Sequence, residues 1–134
     1  ENYFCPEDNC EKEVLEELNK ATESIHFMTF SFTSQKISDY LISRKDIKIR
    51  GIFEKFQNGK YSQFQRLKDN GLNVVLVKNS KNMHHKVFII DEEIVVTGSY
   101  NPTKSGNSRN DENILIIHDK KIAKRFMEEF EELY

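Results

Sequence analysis

The sequence has no tryptophan, and only two prolines, five glycines and two cysteines among its 134 residues. With so little proline and glycine it contains no flexible linker, and it shows no low-complexity tract and no internal repeat. The length therefore fits one domain over residues 1–134, large enough to bury a moderate core.

A long hydrophobic run is also missing, because no apolar stretch approaches the roughly 20 residues that a transmembrane helix needs. The hydrophobic share of 37% and the charged share of 31% are ordinary for a globular protein. Residue 1 is a glutamate and not a methionine, which is compatible with an upstream signal peptide or membrane anchor. The sequence thus leaves the compartment open, with export or amino-terminal anchoring as one alternative.

The two cysteines, Cys5 and Cys10, lie close together in the segment FCPEDNC. Two thiols are too few for a structural zinc site, which needs four ligands, and no histidine lies nearby in the sequence. Two alternatives remain open. The pair forms a local disulfide if the compartment is oxidising, or it stays as two reduced and partly buried thiols.

The net charge of −2 is distributed unevenly along the chain. Residues 1–30 carry a balance of −6 and residues 111–134 a balance of −3, whereas residues 31–110 carry a balance of +7. A basic middle segment can attract a phosphate backbone although the whole chain is slightly acidic.

Hydrophobic periodicity predicts alternating strands and helices in the first half and mostly strands in the second half. The predicted strands cover residues 25–33, 47–54, 73–78, 84–91, 94–100 and 112–119. The predicted helices cover residues 10–24, 34–45, 60–70 and 120–134, and a polar loop covers residues 101–110. Asp8 or Asn9 and Ser34 are the expected caps of the first two helices, and Gly71 is the expected stop of the third. This pattern indicates an α/β fold with a mixed sheet and helices on both of its faces.

An unusual pair of polar residues opens the predicted strand 84–91. His84 and Lys86 are two residues apart, so their side chains project from the same face, whereas His85, Val87 and Ile89 project from the other. A histidine and a lysine side by side on a mostly apolar strand need polar partners or a function. We therefore treat His84 and Lys86 as candidate catalytic residues and His85 as structural.

Two further same-face pairs occupy the ends of later strands. Ser99 and Asn101 end one strand, and Asn110 and Glu112 begin the last one. If these strands are neighbours, all three pairs converge at one edge of the sheet. Gly98 precedes Ser99 and is expected to permit a close approach of two backbones.

This set of side chains suits an in-line displacement at phosphorus. His84 is the expected nucleophile, and Lys86 and Asn101 are expected to neutralise the non-bridging oxygens. Glu112 is expected to orient the nucleophile, while Ser99 supports Glu112 and also contacts the phosphate. The carboxylates are too few and too scattered for a two-metal nuclease site, and there is no P-loop or Rossmann glycine motif. We therefore expect neither a metal ion nor another cofactor.

Three other charged residues need separate assignments. Asp91 lies seven residues after His84, and in a regular strand an odd offset faces the opposite side, so we expect a structural role such as a salt bridge or a turn contact. Lys104 and Arg109 lie in the loop between two candidate segments and are the preferred guides for an anionic substrate. Four other lysines are weaker candidates for the same role: Lys55, Lys60, Lys78 and Lys81.

Three short patterns together resemble the signature of the phospholipase D superfamily. They are His84-x-Lys86-x4-Asp91 (the HKD motif), Gly98-Ser99-x-Asn101 and Asn110-x-Glu112. Because their order and spacing match without gaps, the resemblance is far more specific than that of a single short motif. The amino-terminal stretch and Ser31-Phe32-Thr33 also resemble the small single-domain members, which include bacterial endonucleases and the mitochondrial cardiolipin hydrolase and piRNA nuclease group. The resemblance covers nearly the whole chain and implies a phospholipase D-like α/β domain.

The resemblance also implies a mechanism and an assembly. Members of the superfamily with two copies of the motif use them as halves of one active site, and members with one copy dimerise. This sequence has one copy, which implies a homodimer with the site on its two-fold axis. One His84 would form a phosphohistidine, and the second His84 would protonate the leaving group and then activate water, without a metal ion.

Three functions fit these observations. The first is a nuclease that hydrolyses DNA or RNA, which the basic middle segment favours. The second is a phospholipase acting on cardiolipin or a similar lipid, which an amino-terminal membrane anchor would favour. The third is a non-catalytic module that binds nucleic acid or lipid, which the intact set of site residues argues against.

Overall fold

Seven strands form one mixed sheet in this computed structural model, which describes all 134 residues. The strands are β1 (Asn2–Cys5), β2 (Ser24–Thr29), β3 (Lys48–Phe53), β4 (Asn73–Leu76), β5 (Lys86–Ile90), β6 (Ile94–Gly98) and β7 (Glu112–His118). They lie in the order β1-β7-β6-β5-β2-β3-β4. The neighbours β2, β3 and β4 run parallel, whereas every other neighbouring pair is antiparallel. The mixed sheet predicted from the sequence is confirmed.

Helices cover both faces of this sheet, as predicted. They are α1 (Cys10–Leu18), α2 (Gln35–Ser43), α3 (Phe64–Asp69), α4 (Lys104–Ser108) and α5 (Lys120–Leu133), with a short 3-10 helix at Lys55–Gln57. Because side chains alternate along β2, Phe27 enters a core shared with α1, α2 and α3, and Met28 enters a second core shared with α5. None of the helices has the length and apolar character that crossing a membrane requires.

The predicted caps are present, but two helices are shorter than the sequence pattern indicates. Ser34 accepts a hydrogen bond from the N–H of Ile37 (3.2 Å), and Gly71 has a φ of 85° just beyond α3. The first helix ends at Leu18 and not at residue 24, where the N–H of Ala21 closes a turn on the Leu18 carbonyl (3.1 Å), which also accepts from the Tyr40 hydroxyl (3.0 Å). The third helix begins at Phe64 and not at residue 60.

Besides the 3-10 helix at Lys55–Gln57, two elements were not predicted. The edge strand β1 has four residues and forms by pairing with β7, a contact between the two ends of the chain that no local pattern reveals. The short helix α4 replaces most of the loop predicted over residues 101–110, although its sequence KSGNS has weak helix propensity. Tertiary contacts compensate, because Thr103 caps the helix through the N–H of Gly106 (3.0 Å) and Asn107 hydrogen-bonds to Glu11 (3.0 Å).

A disulfide joins the two cysteines, which selects one of the alternatives that the sequence left open. Cys5 ends β1 and Cys10 begins α1, so the bond ties the edge strand to the first helix. Both residues are buried in the core that α1 shares with the sheet.

Candidate active site

The three polar pairs meet at one edge of the sheet because of the strand pairing. β5 runs antiparallel to β2, so Lys86 at the start of β5 lies opposite Thr29 at the end of β2. β6 runs antiparallel to both β5 and β7, so Gly98 at its end lies opposite Ile114 near the start of β7. The sequence predicted that the three polar pairs converge if β5, β6 and β7 are neighbours, and these strands are neighbours.

His84 and Lys86 contact each other directly. The Lys86 ammonium lies 3.2 Å from Nδ1 and 3.4 Å from Nε2 of the His84 ring, and it donates to the His84 carbonyl at 2.9 Å. The ring of Phe30 packs edge-on against the imidazole (4.5 Å between centroids) and lies 5.3 Å from the ammonium. Phe30 thus positions both residues, and the sequence pattern did not single it out.

The local environment changes the acidity of Lys86. Burial lowers the pKa of its ammonium from the usual value of 10.5, because desolvation disfavours the charged form. The negative charge of Glu112 opposes this shift. The lysine is therefore a better proton donor than a solvent-exposed lysine, next to the exposed imidazole of His84.

Glu112 does not contact His84 within the chain, which corrects the expectation that it orients the nucleophile there. One of its carboxylate oxygens accepts a hydrogen bond from the Ser99 hydroxyl, and the other accepts one from the Asn110 amide (3.1 Å). Ser99 in turn accepts from the N–H of Asn113 (3.0 Å). The supporting role expected of Ser99 is thus visible in its contacts, whereas its contact with phosphate stays a prediction.

The Asn101 side chain is oriented by the end of β2. Its oxygen accepts a hydrogen bond from the backbone N–H of Ser31 (3.2 Å), which leaves the amide nitrogen as a donor for other partners. Gly98 permits the close approach that the sequence suggested, because a Cβ there would lie 2.2 Å from the Asn113 carbonyl oxygen. Its φ of 152° also favours glycine.

Asp91 lies outside the site, as predicted. It follows β5 in the turn to β6, and its carboxylate accepts hydrogen bonds from the N–H groups of Thr22, Glu23 and Ser24 and from the Thr22 hydroxyl, all between 2.8 and 3.0 Å. Burial opposes its ionisation, but these hydrogen bonds outweigh burial and lower the pKa of the carboxyl from its usual 3.8. Asp91 is distant from His84 mainly because the two residues lie at opposite ends of β5, and only secondarily because their side chains would face opposite sides of a strand.

Glu54 is a second residue that the sequence pattern missed. Its side chain is 1% exposed, and its carboxylate accepts hydrogen bonds from the N–H of Phe56 (3.2 Å) and from that of Met83, the residue before His84. It therefore fixes the backbone that enters β5 to the 3-10 helix that follows β3. A glutamate directly after an apolar strand indicates that its carboxylate binds backbone N–H groups. The sequence does not indicate which backbone segment supplies them.

A cleft of about 820 Å³ adjoins this edge of the sheet and is lined by Phe30 and Asn101. Lys104 lines the cleft, whereas Arg109 lies at the carboxyl end of α4 outside the lining. Neither side chain forms an ion pair. Their proposed role in guiding an anionic substrate stays a prediction, with the placement of Lys104 in its favour.

The remaining histidines have structural surroundings. His85 points away from the site and contacts Glu129 of α5 (3.1 Å), in agreement with its predicted role. His118 is half exposed, and its ring lies 3.4 Å from the Glu1 carboxylate. His26 is buried, and neither ring nitrogen has a hydrogen-bond partner. No three His, Cys, Asp or Glu side chains are grouped so that they could hold a metal ion together.

Known proteins resemble the chain in both sequence and fold. A model of the family described as cardiolipin synthase, PLD-like domain, matches residues 14–134. The phospholipase D of Rickettsia prowazekii is 30% identical over 128 residues, and the mitochondrial cardiolipin hydrolase of Xenopus laevis is 33% identical over 130 residues. These matches cover 93% and 95% of this chain, which spans only 62% of the length of each relative.

Among solved structures, Nuc from Salmonella typhimurium, a phospholipase D family member, superimposes with a TM-score of 0.93 at 27% sequence identity. The match covers 99% of this chain and 91% of Nuc. The mixed sheet and the polar groups at its strand ends are the architecture of a phospholipase D-like domain. The chain belongs to the phospholipase D superfamily, because the family model matches it from residue 14 to its last residue. The resemblance inferred from motif spacing is thereby confirmed.

Proposed function

We propose that this protein is a phosphodiesterase that hydrolyses DNA or RNA through a phosphohistidine at His84, without a metal ion. The observation that supports this best is the contact of 3.2 Å between the His84 ring and the Lys86 ammonium at an exposed strand end. A nucleophile and a cation at that separation can act on one phosphate. The imidazole attacks phosphorus while the ammonium neutralises charge on the non-bridging oxygens.

The proposal includes a homodimer that shares one site. An in-line displacement needs a group that protonates the leaving oxygen on the side opposite the nucleophile. Within one chain, no other imidazole faces His84, and Glu112 is bonded to Ser99 and Asn110. A second copy, related by a two-fold axis through this edge, would supply its own His84 as that group.

The chemistry then needs two steps. In the first, a ring nitrogen of His84 bonds to phosphorus while the bond from phosphorus to the leaving oxygen breaks, and the imidazolium of the second copy gives that oxygen its proton. In the second, the now neutral imidazole takes a proton from water, and the water oxygen bonds to phosphorus while the phosphorus–nitrogen bond breaks. Both histidines return to their starting states, while Lys86 and Asn101 hold the phosphate oxygens.

The charge pattern and the cleft favour a nucleic acid substrate. Residues 31–110 carry a balance of +7, and Lys60 and Lys104 line the cleft among uncharged polar side chains. A phosphodiester lipid is the second candidate, because the Xenopus laevis relative is named a mitochondrial cardiolipin hydrolase. A module that binds one of these ligands without hydrolysing it is the remaining alternative.

A hydrolysis assay in EDTA tests the proposal on single-stranded DNA, duplex DNA, RNA and cardiolipin vesicles. The expected result is cleavage of at least one nucleic acid in EDTA and its loss in His84→Ala. His85→Ala is the matched control, because it removes the neighbouring imidazole on the opposite face, and it should retain the activity. Cleavage that EDTA abolishes would rule out the metal-free mechanism, and activity retained in His84→Ala would rule out the nucleophile.

Two further measurements test the intermediate and the assembly. Reactions with labelled substrate, quenched with an alkaline denaturant, should contain a protein-bound label that survives alkali and is released by acid, as expected of a phosphohistidine, and His84→Ala should lack it. Sedimentation should show a dimer at the concentrations of the assay. Full activity from a protein that sediments only as a monomer would contradict the shared site.

A further inference from the structure

Two aromatic rings stand unusually far out of the surface near the cleft. Phe56 is 72% exposed and Tyr61 is 73% exposed, and both belong to the segment between β3 and α3. Each ring has a lysine ammonium near its face, with Lys55 at 5.0 Å from the centroid of Phe56 and Lys60 at 5.5 Å from that of Tyr61. A ring this exposed makes little contact with the core, so its face is available to a ligand, and the nearby ammonium adds a positive charge beside it.

Tyr61 and Lys60 line the same cleft as Asn101 and Phe30. Phe30 also packs against the His84 imidazole, at 4.5 Å between ring centroids. The cleft of about 820 Å³ therefore connects Phe30, the neighbour of the candidate nucleophile, with the exposed tyrosine. A strand whose phosphate lies at His84 would pass the Phe30 ring to reach the part of the cleft that Tyr61 lines.

The segment that carries these rings is anchored to the site. Glu54 holds the N–H of Phe56 at its beginning, and the N–H of Gln63 donates to the Phe32 carbonyl (3.0 Å) at its end. Glu54 also holds the N–H of Met83, next to His84. The aromatic rings consequently keep a defined position relative to the nucleophile.

We propose that Tyr61, with Lys60, forms a subsite that stacks an unpaired nucleobase of a strand whose phosphate lies at His84. This inference rests on the proposed nuclease function and narrows its substrate to single-stranded nucleic acid. An aromatic face stacks on any base, and the lysine binds the adjacent phosphate. Phe56, on the same segment, provides a ring for a further base.

The lining of the cleft favours a nucleobase over an acyl chain. Only two of its 12 lining residues are hydrophobic, and the walls between them carry amides and hydroxyls, among them Gln35, Gln57 and Thr33. Such groups hydrogen-bond to base edges and sugars, whereas an acyl chain would leave them without partners. A base within a duplex is stacked and paired, so it cannot insert against Tyr61 without the cost of being flipped out.

The test compares Tyr61→Ala with wild type on three substrates: a single-stranded oligonucleotide, the same sequence as a duplex, and an abasic oligonucleotide with the same phosphate backbone. Tyr61→Ala should lower kcat/KM on the single strand about tenfold, since one base stack contributes roughly that factor. Cleavage of the abasic strand should not change, and Tyr61→Phe should restore the activity. Tyr134→Ala, which removes an aromatic ring of α5's carboxyl end, is the control and should behave as wild type.

A second assay separates failure of this inference from failure of the proposed function. Fluorescence anisotropy on the His84→Ala background measures binding of the labelled single strand, with and without Tyr61→Ala, and binding of anionic lipid vesicles. Binding of the single strand that depends on Tyr61 supports the subsite even if wild type hydrolyses no nucleic acid. Three results for Tyr61→Ala would overturn the subsite: an equal loss of binding to abasic and base-bearing strands, no loss of binding to either, or a loss of vesicle binding alone. The hydrolysis assay judges the nuclease activity separately.

Discussion

The carboxylate of Glu54 accepts a hydrogen bond from the backbone N–H of Met83, the residue immediately before His84. The two residues are 29 positions apart in the sequence and come from segments that follow β3 and precede β5. Glu54 has no lysine or arginine partner, so its buried charge is satisfied by backbone donors. This relationship makes a buried acid a positioning residue for the candidate nucleophile.

Replacement of Glu54 should therefore affect both stability and turnover. Glu54→Ala leaves two backbone N–H groups without an acceptor, and we expect the free energy of unfolding to fall by about 2–4 kcal/mol. At temperatures where the variant stays folded, kcat should fall about 10- to 100-fold with a smaller change in KM, because His84 is displaced and not removed. Glu54→Gln keeps one acceptor oxygen and should lie in between.

The control for this variant is Glu93→Ala. Glu93 is 51% exposed and pairs with Lys120 at the surface, so its loss should change the free energy of unfolding by no more than about 0.5 kcal/mol. Urea denaturation and steady-state kinetics provide the two measurements. A Glu54→Ala protein with wild-type kcat would show that the contact does not position His84.

Asp91 is predicted to stabilise the fold without taking part in the chemistry. Asp91→Asn keeps a residue that tolerates the positive φ of 52° but turns an amide group towards three backbone donors. We expect a loss of about 2–3 kcal/mol in the free energy of unfolding, with kcat unchanged below the melting temperature. Glu92→Gln, in the same turn with a φ of 55°, is the matched control and should leave stability unchanged.

Because Asp91 acts in its ionised form, its contribution to the free energy of unfolding should depend on pH. Because its pKa is lower in the folded chain than in the unfolded chain, its contribution is complete above the unfolded pKa and is lost as the pH falls through the folded pKa. The stability difference between wild type and Asp91→Asn should therefore shrink at acid pH. A difference that stays constant down to about pH 2 would contradict the role of the charge.

His26 is predicted to make the fold sensitive to mild acid. Burial, reinforced by the charges of Arg50 and Lys48, lowers the pKa of its imidazole from 6.5 to about 4. The unfolded chain therefore binds a proton that the folded chain does not, so stability is complete above about pH 6.5 and is lost as the pH falls towards 4. Between about pH 7 and about pH 5 we expect a loss of about 2 kcal/mol.

His26→Leu should remove this loss, because a leucine at that position has no proton to bind. Urea denaturation at several pH values measures the slope of stability against pH for both proteins. His118→Leu replaces an imidazole that is 50% exposed and should keep the wild-type slope. If wild type and His26→Leu lose stability equally over this pH range, His26 is not the group responsible.

Lys86 is predicted to set the alkaline limit of activity. The proposed mechanism requires its ammonium to neutralise the phosphate, and burial lowers the pKa of that ammonium below 10.5. The value of kcat/KM should therefore fall as the pH rises, and the apparent pKa of this fall should be lower than the pKa of an ordinary lysine. Lys86→Arg should move this limb to higher pH, since a guanidinium stays protonated above about pH 12, even if its overall rate is lower. If the alkaline fall in kcat/KM occurs at the same pH in Lys86→Arg, a group other than Lys86 causes that fall.

Much of the site could be predicted from the sequence because its geometry is local. Residues two apart in an extended segment share a face, so the sequence pairs His84 with Lys86, and the two do meet although the strand predicted from residue 84 begins at Lys86. The same period placed His85 on the opposite side, and the fixed spacing of the three polar patterns identified the superfamily. Strand and helix types follow from periodicity, although some ends differ, since α1 ends at Leu18 and α3 begins at Phe64.

The sequence by itself therefore determined the α/β class, the polar strand ends and the family. Only the tertiary structure decided which distant groups meet there: Phe30 against His84, Glu54 against Met83, and Glu112 with Ser99 and Asn110 instead of His84. It also decided that β1 and α4 exist, since both depend on contacts between distant segments more than on their own propensities. The periodicity of a strand or helix depends on residues that are close together in the sequence. Contacts between distant residues depend on the path of every strand and turn that lies between them.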